Sequence, residues 1–155
     1  MSSDLQQLYQ QIILDHARQR HGAGLQEAAD GLTTGESHQL NPTCGDEITL
    51  RAAVDGGAGR VAAISWEGQG CSISMASASV LTDLMQGVDR EEAGRLVESF
   101  REVMRSRGSV AADEEVLGDA AAFSGVARYP ARVKCAMLAW VALEEALASA
   151  AAPAL

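Results

Sequence analysis

The sequence predicts an α+β fold in which a small antiparallel sheet packs against several helices. Apolar residues recur with a period of two in the runs 48–54 and 61–67, and the glycine-rich stretch 55–59 between them indicates a hairpin. In the remaining segments apolar residues recur three and four positions apart, which is the period of an amphipathic helix. The strands therefore come early in the chain and most of the helices follow them.

The first element in chain order is a helix predicted over residues 4–20. A surface loop at 22–36 follows, and Glu36–Asn41 is expected to add a third, edge strand to the sheet. Two sets of hairpin residues are expected to face the core: Ile48, Leu50, Ala52 and Val54 in one strand, and Ala62, Ile64 and Trp66 in the other.

Helical periodicity begins after Gly70 and recurs in separate segments as far as residue 151. It predicts one helix that ends near Met85, a second at 89–106 with Asp89 as its N-cap, and a short helical segment at 113–123. An alanine-rich helix is predicted over 131–151, with Pro130 at its start. These helices would cover one face of the small sheet.

Length and charge limit the classes of function. A chain of 155 residues predicts one domain, 1–155. The net charge of −9 disfavours binding to nucleic acid and to anionic lipid surfaces. Because there is no apolar run of about 18 residues and no leader-like segment, we expect no membrane association and a soluble, cytoplasmic protein.

Each of the three cysteines is predicted to lie at the end of a secondary-structure element. Cys44 lies between Pro42 and Gly45, in a turn that a strand follows directly. Cys71 lies between a strand and a helix, and Cys135 lies in the first turns of the last helix. The backbone dipoles at a helix N-terminus favour a thiolate over a thiol.

Asp46 follows Cys44 by two residues, so three thiolates and one carboxylate are candidates for a shared metal site. Such a donor set suits zinc or an iron–sulfur cluster. The spacing contains no CxxC pair, however, so three unconnected thiols remain an open alternative.

Four stretches of the chain resemble the SufU branch of the IscU/NifU-type iron–sulfur assembly proteins. They are LYQQIILDH (8–16), NPTCGDEITL (41–50), GQGCSISMASASVLTDLM (68–85) and LGDAAAFSGVARYPARVKCAMLAW (117–140). Two details favour the SufU branch over IscU-type scaffolds. Lys134 stands where IscU-type scaffolds have a histidine before the last cysteine, and their Leu-Pro-Pro-Val-Lys chaperone motif is absent from the sequence.

The resemblance implies a SufU/IscU-like fold with a zinc site at one end of the sheet. The implied zinc ligands are Cys44, Asp46, Cys71 and Cys135, and an iron–sulfur cluster is the alternative occupant. The implied partners are a cysteine desulfurase of the SufS type and the downstream SUF machinery for cluster assembly. The implied function is zinc-dependent sulfur transfer; the alternatives are a scaffold for nascent clusters and a zinc-stabilised allosteric activator of the desulfurase.

Cys44 is the expected sulfur acceptor, because its loop can move while Cys71 and Cys135 are fixed on helices. Arg132, one turn before Cys135, is expected to pair with Asp46 or with a departing thiolate. Other polar residues are expected to be structural. The three histidines are interpreted as surface or helix-end residues (His16, His21 and His38), and four serines as small packing residues (Ser72, Ser74, Ser77 and Ser79).

Overall fold

The protein is described by a computed structural model that covers residues 3–43, 45–56 and 59–151. Its elements run in the order α1 (Ser3–Gln19), β1 (Leu32–Asn41), β2 (Asp46–Asp55), β3 (Val61–Gln69), α2 (Ser72–Leu84), α3 (Arg90–Arg105), α4 (Glu114–Leu117), a 3-10 helix (Gly118–Arg128) and α5 (Pro130–Ala151). The predicted α+β class is confirmed. Cys44, and the part of the predicted hairpin turn at 57–58, lie outside the described residues.

The three strands form one antiparallel sheet in the order β1-β2-β3. The predicted edge strand at Glu36–Asn41 is confirmed, but β1 begins at Leu32 and so includes the last residues of the predicted loop. Its first residues pair with the far end of β2, Leu32 opposite Asp55. Cross-strand pairing therefore extends β1 where the local composition, rich in threonine and glycine, gives a weak strand signal.

In β2 the predicted inward positions are confirmed, whereas the phase of β3 is only partly correct. Ile64 and Trp66 are buried as predicted, but Val61 is buried and Ala62 is exposed. The register with β2 shifts next to Val54, which pairs with Val61. Such a bulge leaves one residue of β3 unpaired and reverses the side on which the residues before it point.

Helix α5 packs across β1 and β2 and forms the second layer of the core. Its alanines allow a close approach to the sheet, and Gly35 of β1 shows how close: a Cβ at that position would lie 1.8 Å from the carbonyl oxygen of Ala146. Larger side chains fill the space between α5 and the other helices. Trp140 stacks on Phe100 with ring centroids 4.1 Å apart, and Phe123 meets Phe100 edge to face.

The predicted helical segment at 113–123 is the least accurate of the helix predictions. The chain forms one short α-helix and then a 3-10 helix that continues to Arg128. Gly118 separates the two with a positive φ of 53°, a conformation that interrupts a regular helix. Along the described residues, no helix is long and apolar enough to cross a membrane.

Candidate metal centre

Three of the predicted ligands converge at one end of the sheet. One ligand atom each from Asp46, Cys71 and Cys135 lies within 4.8 Å of the other two. Asp46 and Cys71 are 25 residues apart in the sequence, and Cys135 is far from both, so only the fold brings the three together. They line a shallow depression with Gly70, Ala131 and other residues of the same strand and helix ends.

Asp46 is the first residue of β2 and lies on the same face of the strand as the buried Ile48. Its inward direction follows from the period of two along a strand, and it leaves Asp46 only 2% exposed. Gly70 makes room for the carboxylate, because a Cβ on Gly70 would lie 2.5 Å from Asp46 Oδ1. The carboxyl group is thus confined between β2 and the end of β3.

Cys71 is the N-cap residue of α2, with an extended backbone (φ −71°, ψ 168°). Its backbone N–H donates a hydrogen bond to Asp46 Oδ1 over 3.1 Å, and its thiol donates to Asp46 Oδ2 over 3.3 Å. The side chain is exposed, so a bound ion or a reacting molecule can reach the sulfur from outside. The prediction that Cys71 lies between a strand and a helix is confirmed.

Cys135 approaches from the second turn of α5, the helix that begins at Pro130. It is only 6% exposed, and its thiol lies 3.8 Å from the carbonyl oxygen of Ala131 one turn earlier. The prediction that Cys135 lies in the first turns of the last helix is therefore confirmed. The centre thus combines one exposed thiol with one buried thiol and one buried carboxyl group.

The donor set of this cluster fits a soft or borderline cation. Each of its three groups becomes an anion on deprotonation, and like charges at such separations repel one another strongly in a partly buried site. A bound cation removes that repulsion, and two thiolates with a carboxylate are ligands that zinc accepts. The described residues therefore offer three of the four ligands of a tetrahedral zinc site.

Comparisons with known proteins show the family to which this chain is related. The sequence matches the family model of the NifU-like N-terminal domain over residues 8–136. The chain belongs to this family. It is 40% identical over 147 residues to the zinc-dependent sulfurtransferase SufU of Bacillus subtilis (strain 168), an alignment that covers 95% of this chain and 94% of that protein.

Two further members of the family are similar over most of their length. The iron–sulfur cluster assembly scaffold protein IscU of Streptococcus pyogenes serotype M1 is 40% identical over 146 residues, which cover 94% of this chain and 86% of that protein. The crystal structure of a SUF-system assembly scaffold protein from Fervidobacterium islandicum AW-1 superposes with a TM-score of 0.70 at 35% identity, and covers 88% of this chain and 93% of the other. The predicted resemblance and fold are confirmed.

Two site predictions within the family motifs remain predictions. Cys44 lies outside the described residues, so its place in the site is not part of the structure. Arg132 is exposed and lines the same depression as the three converged groups. It also lines an adjacent, larger apolar groove of about 830 Å³, formed by α1, the start of α2 and the end of the 3-10 helix.

The sequence analysis missed the role of Ser74 at this centre. Ser74 was interpreted as a small packing residue, and it is indeed buried, but its hydroxyl donates a hydrogen bond to Asp46 Oδ2. Its position three residues after Cys71 is a usable signal, because residues i and i+3 of a helix lie on one face. Ser72, in contrast, is exposed, so its interpretation as a packing residue is wrong.

His16 was interpreted as a surface or helix-end residue; the helix-end position is confirmed, but the side chain does not lie on the surface. It lies in the last turn of α1 but is only 6% exposed. Its Nδ1 lies 2.7 Å from Ser79 Oγ, and its Nε2 lies 3.0 Å from Asp119 Oδ2. His16 is therefore a buried link between α1, α2 and the 3-10 helix, made by residues too distant in sequence for a local pattern to connect.

Proposed function

We propose that this chain is an iron–sulfur cluster assembly protein that acts as a zinc-dependent sulfurtransferase, accepting sulfur from the persulfide of a cysteine desulfurase. The observation that carries the proposal is the convergence of Asp46, Cys71 and Cys135 at one accessible end of the sheet. Two relatives that match nearly the whole chain support it, because their names state zinc-dependent sulfur transfer and cluster assembly.

Cys44, Asp46, Cys71 and Cys135 are the residues that would hold the zinc. Zinc in such a site keeps its sulfur ligands deprotonated at neutral pH, and its binding adds to the stability of the folded chain. The buried Asp46 and Cys135 anchor the site to β2 and α5, whereas the exposed Cys71 leaves it open to a partner.

In the proposed reaction Cys44 is the sulfur acceptor. Its thiolate attacks the outer sulfur of the desulfurase persulfide, the sulfur–sulfur bond of the desulfurase breaks, and a new persulfide forms on Cys44 while the desulfurase cysteine leaves as a thiolate. The exchange is redox-neutral, and its rate depends on the thiolate fraction and on access. The proposed role of Arg132 is to supply positive charge, either to Asp46 or to the cysteine thiolate that leaves the zinc.

The proposed partners are a desulfurase of the SufS type and the SUF proteins that receive the sulfur afterwards. Lys134 directly before Cys135 supports the SufU type, since IscU-type scaffolds have a histidine at the corresponding position. A scaffold for nascent iron–sulfur clusters is the second candidate function. The streptococcal relative favours it, because a protein named as a scaffold is as similar to this chain as the named sulfurtransferase.

The experiment combines metal analysis with mass spectrometry of the loaded protein. We expect the purified chain to be colourless and to contain zinc, and to gain one sulfur atom on Cys44 after incubation with a SufS-type desulfurase and cysteine. Cys44→Ala is expected to remain folded and to gain no sulfur. Iron in a brown protein would support the scaffold instead, and stimulation of the desulfurase without any persulfide on the chain would indicate an allosteric activator.

A further inference from the structure

Among the described residues, the first turn of α2 donates hydrogen bonds to the carboxylate of Asp46. Oδ1 accepts from the backbone N–H of Cys71, and Oδ2 accepts from the hydroxyl of Ser74 and from the thiol of Cys71. Ser74 is 2% exposed and lies one helical turn after Cys71. One buried hydroxyl is therefore directed at a carboxylate that we place among the zinc ligands.

The hydroxyl of Ser74 has only one hydrogen to donate but three possible acceptors within reach: Asp46 Oδ2, the backbone carbonyl of Cys135 and, at 3.6 Å, Cys71 Sγ. The backbone carbonyl of Cys135 is 3.3 Å away, and Asp46 Oδ2 is nearer. A carboxylate is also the stronger acceptor, because a hydrogen bond to an ionised group is shorter and about twice as strong as one between neutral groups. The hydrogen of Ser74 is therefore assigned to Asp46.

We propose that Ser74 is a positioning residue of the metal centre, which fixes Asp46 in the orientation that a zinc ligand needs. The inference rests on the proposed function, since it supposes that Asp46 binds zinc. A carboxylate has about four lone-pair directions, so Asp46 can keep its bonds from the Cys71 N–H and the Ser74 hydroxyl and still bind a cation. Outer partners of this kind orient the ligands of metal sites and raise metal affinity.

The surroundings of Asp46 restrict the movement of both of its carboxylate oxygens. The backbone N–H of Cys71 holds Oδ1, and the hydroxyl of Ser74 holds Oδ2. With both oxygens held, Asp46 keeps its place when one sulfur ligand is engaged elsewhere. Ser74 thus supports the ligand that stays.

Ser77, one turn further along α2, provides a matched control. It is also buried, and its hydroxyl donates to the Ala136 carbonyl over 2.6 Å and accepts from Trp140 Nε1–H over 2.8 Å. Ser77→Ala removes as much of a side chain from the same helix as Ser74→Ala does. The two variants differ in that only Ser74 hydrogen-bonds to Asp46.

The test measures zinc affinity by competition with a chelator, and ligand geometry by the absorption spectrum of the cobalt(II)-loaded protein. For Ser74→Ala we expect zinc affinity to fall by about 10- to 100-fold, and the cobalt bands to shift. For Ser77→Ala we expect the melting temperature of the metal-free protein to fall, while zinc affinity and the cobalt spectrum stay as in the wild type.

The outcomes separate the role of Ser74 from the proposed function. Tight zinc binding by the wild type with unchanged affinity in Ser74→Ala would overturn the role of Ser74 alone. Equal losses of affinity in Ser74→Ala and Ser77→Ala would overturn it too, because the effect would then be a general loss of helix packing. A wild-type protein that binds no zinc would overturn the metal centre in the proposed function.

Discussion

Helix α2 contributes to two clusters of side chains that are able to bind metals. The thiol cluster, Asp46, Cys71 and Cys135, includes the residue at the start of α2, and the histidine cluster, His16, His21 and Asp83, includes a residue near its end. In both clusters the three ligand atoms lie within 4.8 Å of one another. Proximity alone therefore does not distinguish them.

The histidine cluster is held together by complementary groups. An ionised Asp119 can only accept, so His16 Nε2–H donates to it, and His16 Nδ1 then accepts from the hydroxyl of Ser79. His21 pairs with Asp83 over 2.6 Å, and its backbone N–H donates to Ser79 Oγ. Donors meet acceptors throughout this cluster, so it needs no metal to be stable.

The thiol cluster differs because its three groups all become anions on deprotonation. Such a set is stable only if the groups stay protonated or a cation binds among them. The distances between ligand atoms are alike in the two clusters, so the sign of the charges is what indicates which cluster binds a metal. The following predictions test that difference, beginning with the largest effect.

Removing a thiol should have the largest effect. We expect Cys135→Ala to lower zinc affinity by more than the roughly 100-fold limit typical of outer-shell changes, and to lower the melting temperature of the zinc-loaded protein, because zinc binding is coupled to folding. Chelator competition and thermal unfolding measure the two effects. His21→Ala serves as the control from the histidine cluster and should leave zinc affinity unchanged; the opposite ranking would show that the clusters are wrongly assigned.

Removing the buried histidine should reduce stability but not metal binding. We expect His16→Ala to lower the free energy of unfolding by about 2–3 kcal/mol, because it leaves the buried hydroxyl of Ser79 without an acceptor for its hydrogen and opens a space between α1 and α2. His38→Ala, at an exposed histidine paired with Glu47, should change it by less than about 0.5 kcal/mol. Urea unfolding of the metal-free variants measures both values, and similar values for the two would refute the structural role of His16.

A methyl group at Gly70 should disturb the carboxylate of the thiol cluster. Because its Cβ would lie 2.5 Å from Asp46 Oδ1, we expect Gly70→Ala to move Asp46 and to lower zinc affinity by about tenfold. Gly94→Ala is the control, since Gly94 faces open space on α3 and its replacement should leave zinc affinity unchanged. An undiminished affinity in Gly70→Ala would mean that Asp46 does not need this position to bind zinc.

The smallest effect is expected at an exposed hydrogen bond that belongs to neither cluster. Tyr9 donates a hydrogen bond to Glu114, and this bond raises the pKa of Tyr9 from 10.0 to about 12. Because the pKa is higher in the folded state, the stabilisation is complete below pH 10 and disappears as the pH rises towards 12. We expect Tyr9→Phe to cost less than about 1 kcal/mol at pH 8.

The difference in stability between wild type and Tyr9→Phe, measured by thermal unfolding, should shrink between pH 10 and pH 12. Tyr129→Phe is a suitable control, because Tyr129 is exposed and lines the same apolar groove as Tyr9. A difference that stays constant over this pH range would mean that the hydrogen bond to Glu114 does not contribute to stability.

The sequence predicted those features that depend on local pattern or on a recognisable motif. Periodicity was sufficient for α2, α3 and α5, and the motifs around Cys71 and Cys135 were sufficient to propose a common metal centre. Periodicity could not predict the bulge that buries Val61, because that bulge depends on the register between β3 and β2.

Most of the features that could not be predicted from the sequence are hydrogen bonds between residues far apart in the chain. His16 has two partners, Ser79 at 63 residues and Asp119 at 103 residues along the sequence. The hydrogen bond from Ser74 to Asp46 joins a helix to a strand. A histidine or a serine in a helix has the same local sequence signal whether it is exposed or buried in such a network. These contacts become visible only once the strands and helices are assembled.

The central claim is that Asp46, Cys71 and Cys135 belong to one zinc site. X-ray absorption at the zinc edge of the wild-type protein loaded with one equivalent of zinc tests it most directly, since zinc–sulfur distances near 2.3 Å differ clearly from zinc–nitrogen and zinc–oxygen distances near 2.0–2.1 Å. The account predicts a single zinc with mainly sulfur ligands in the wild type, and a weaker sulfur contribution to the scattering in Cys135→Ala. A shell of nitrogen and oxygen ligands alone, as the histidine cluster would supply, would contradict it.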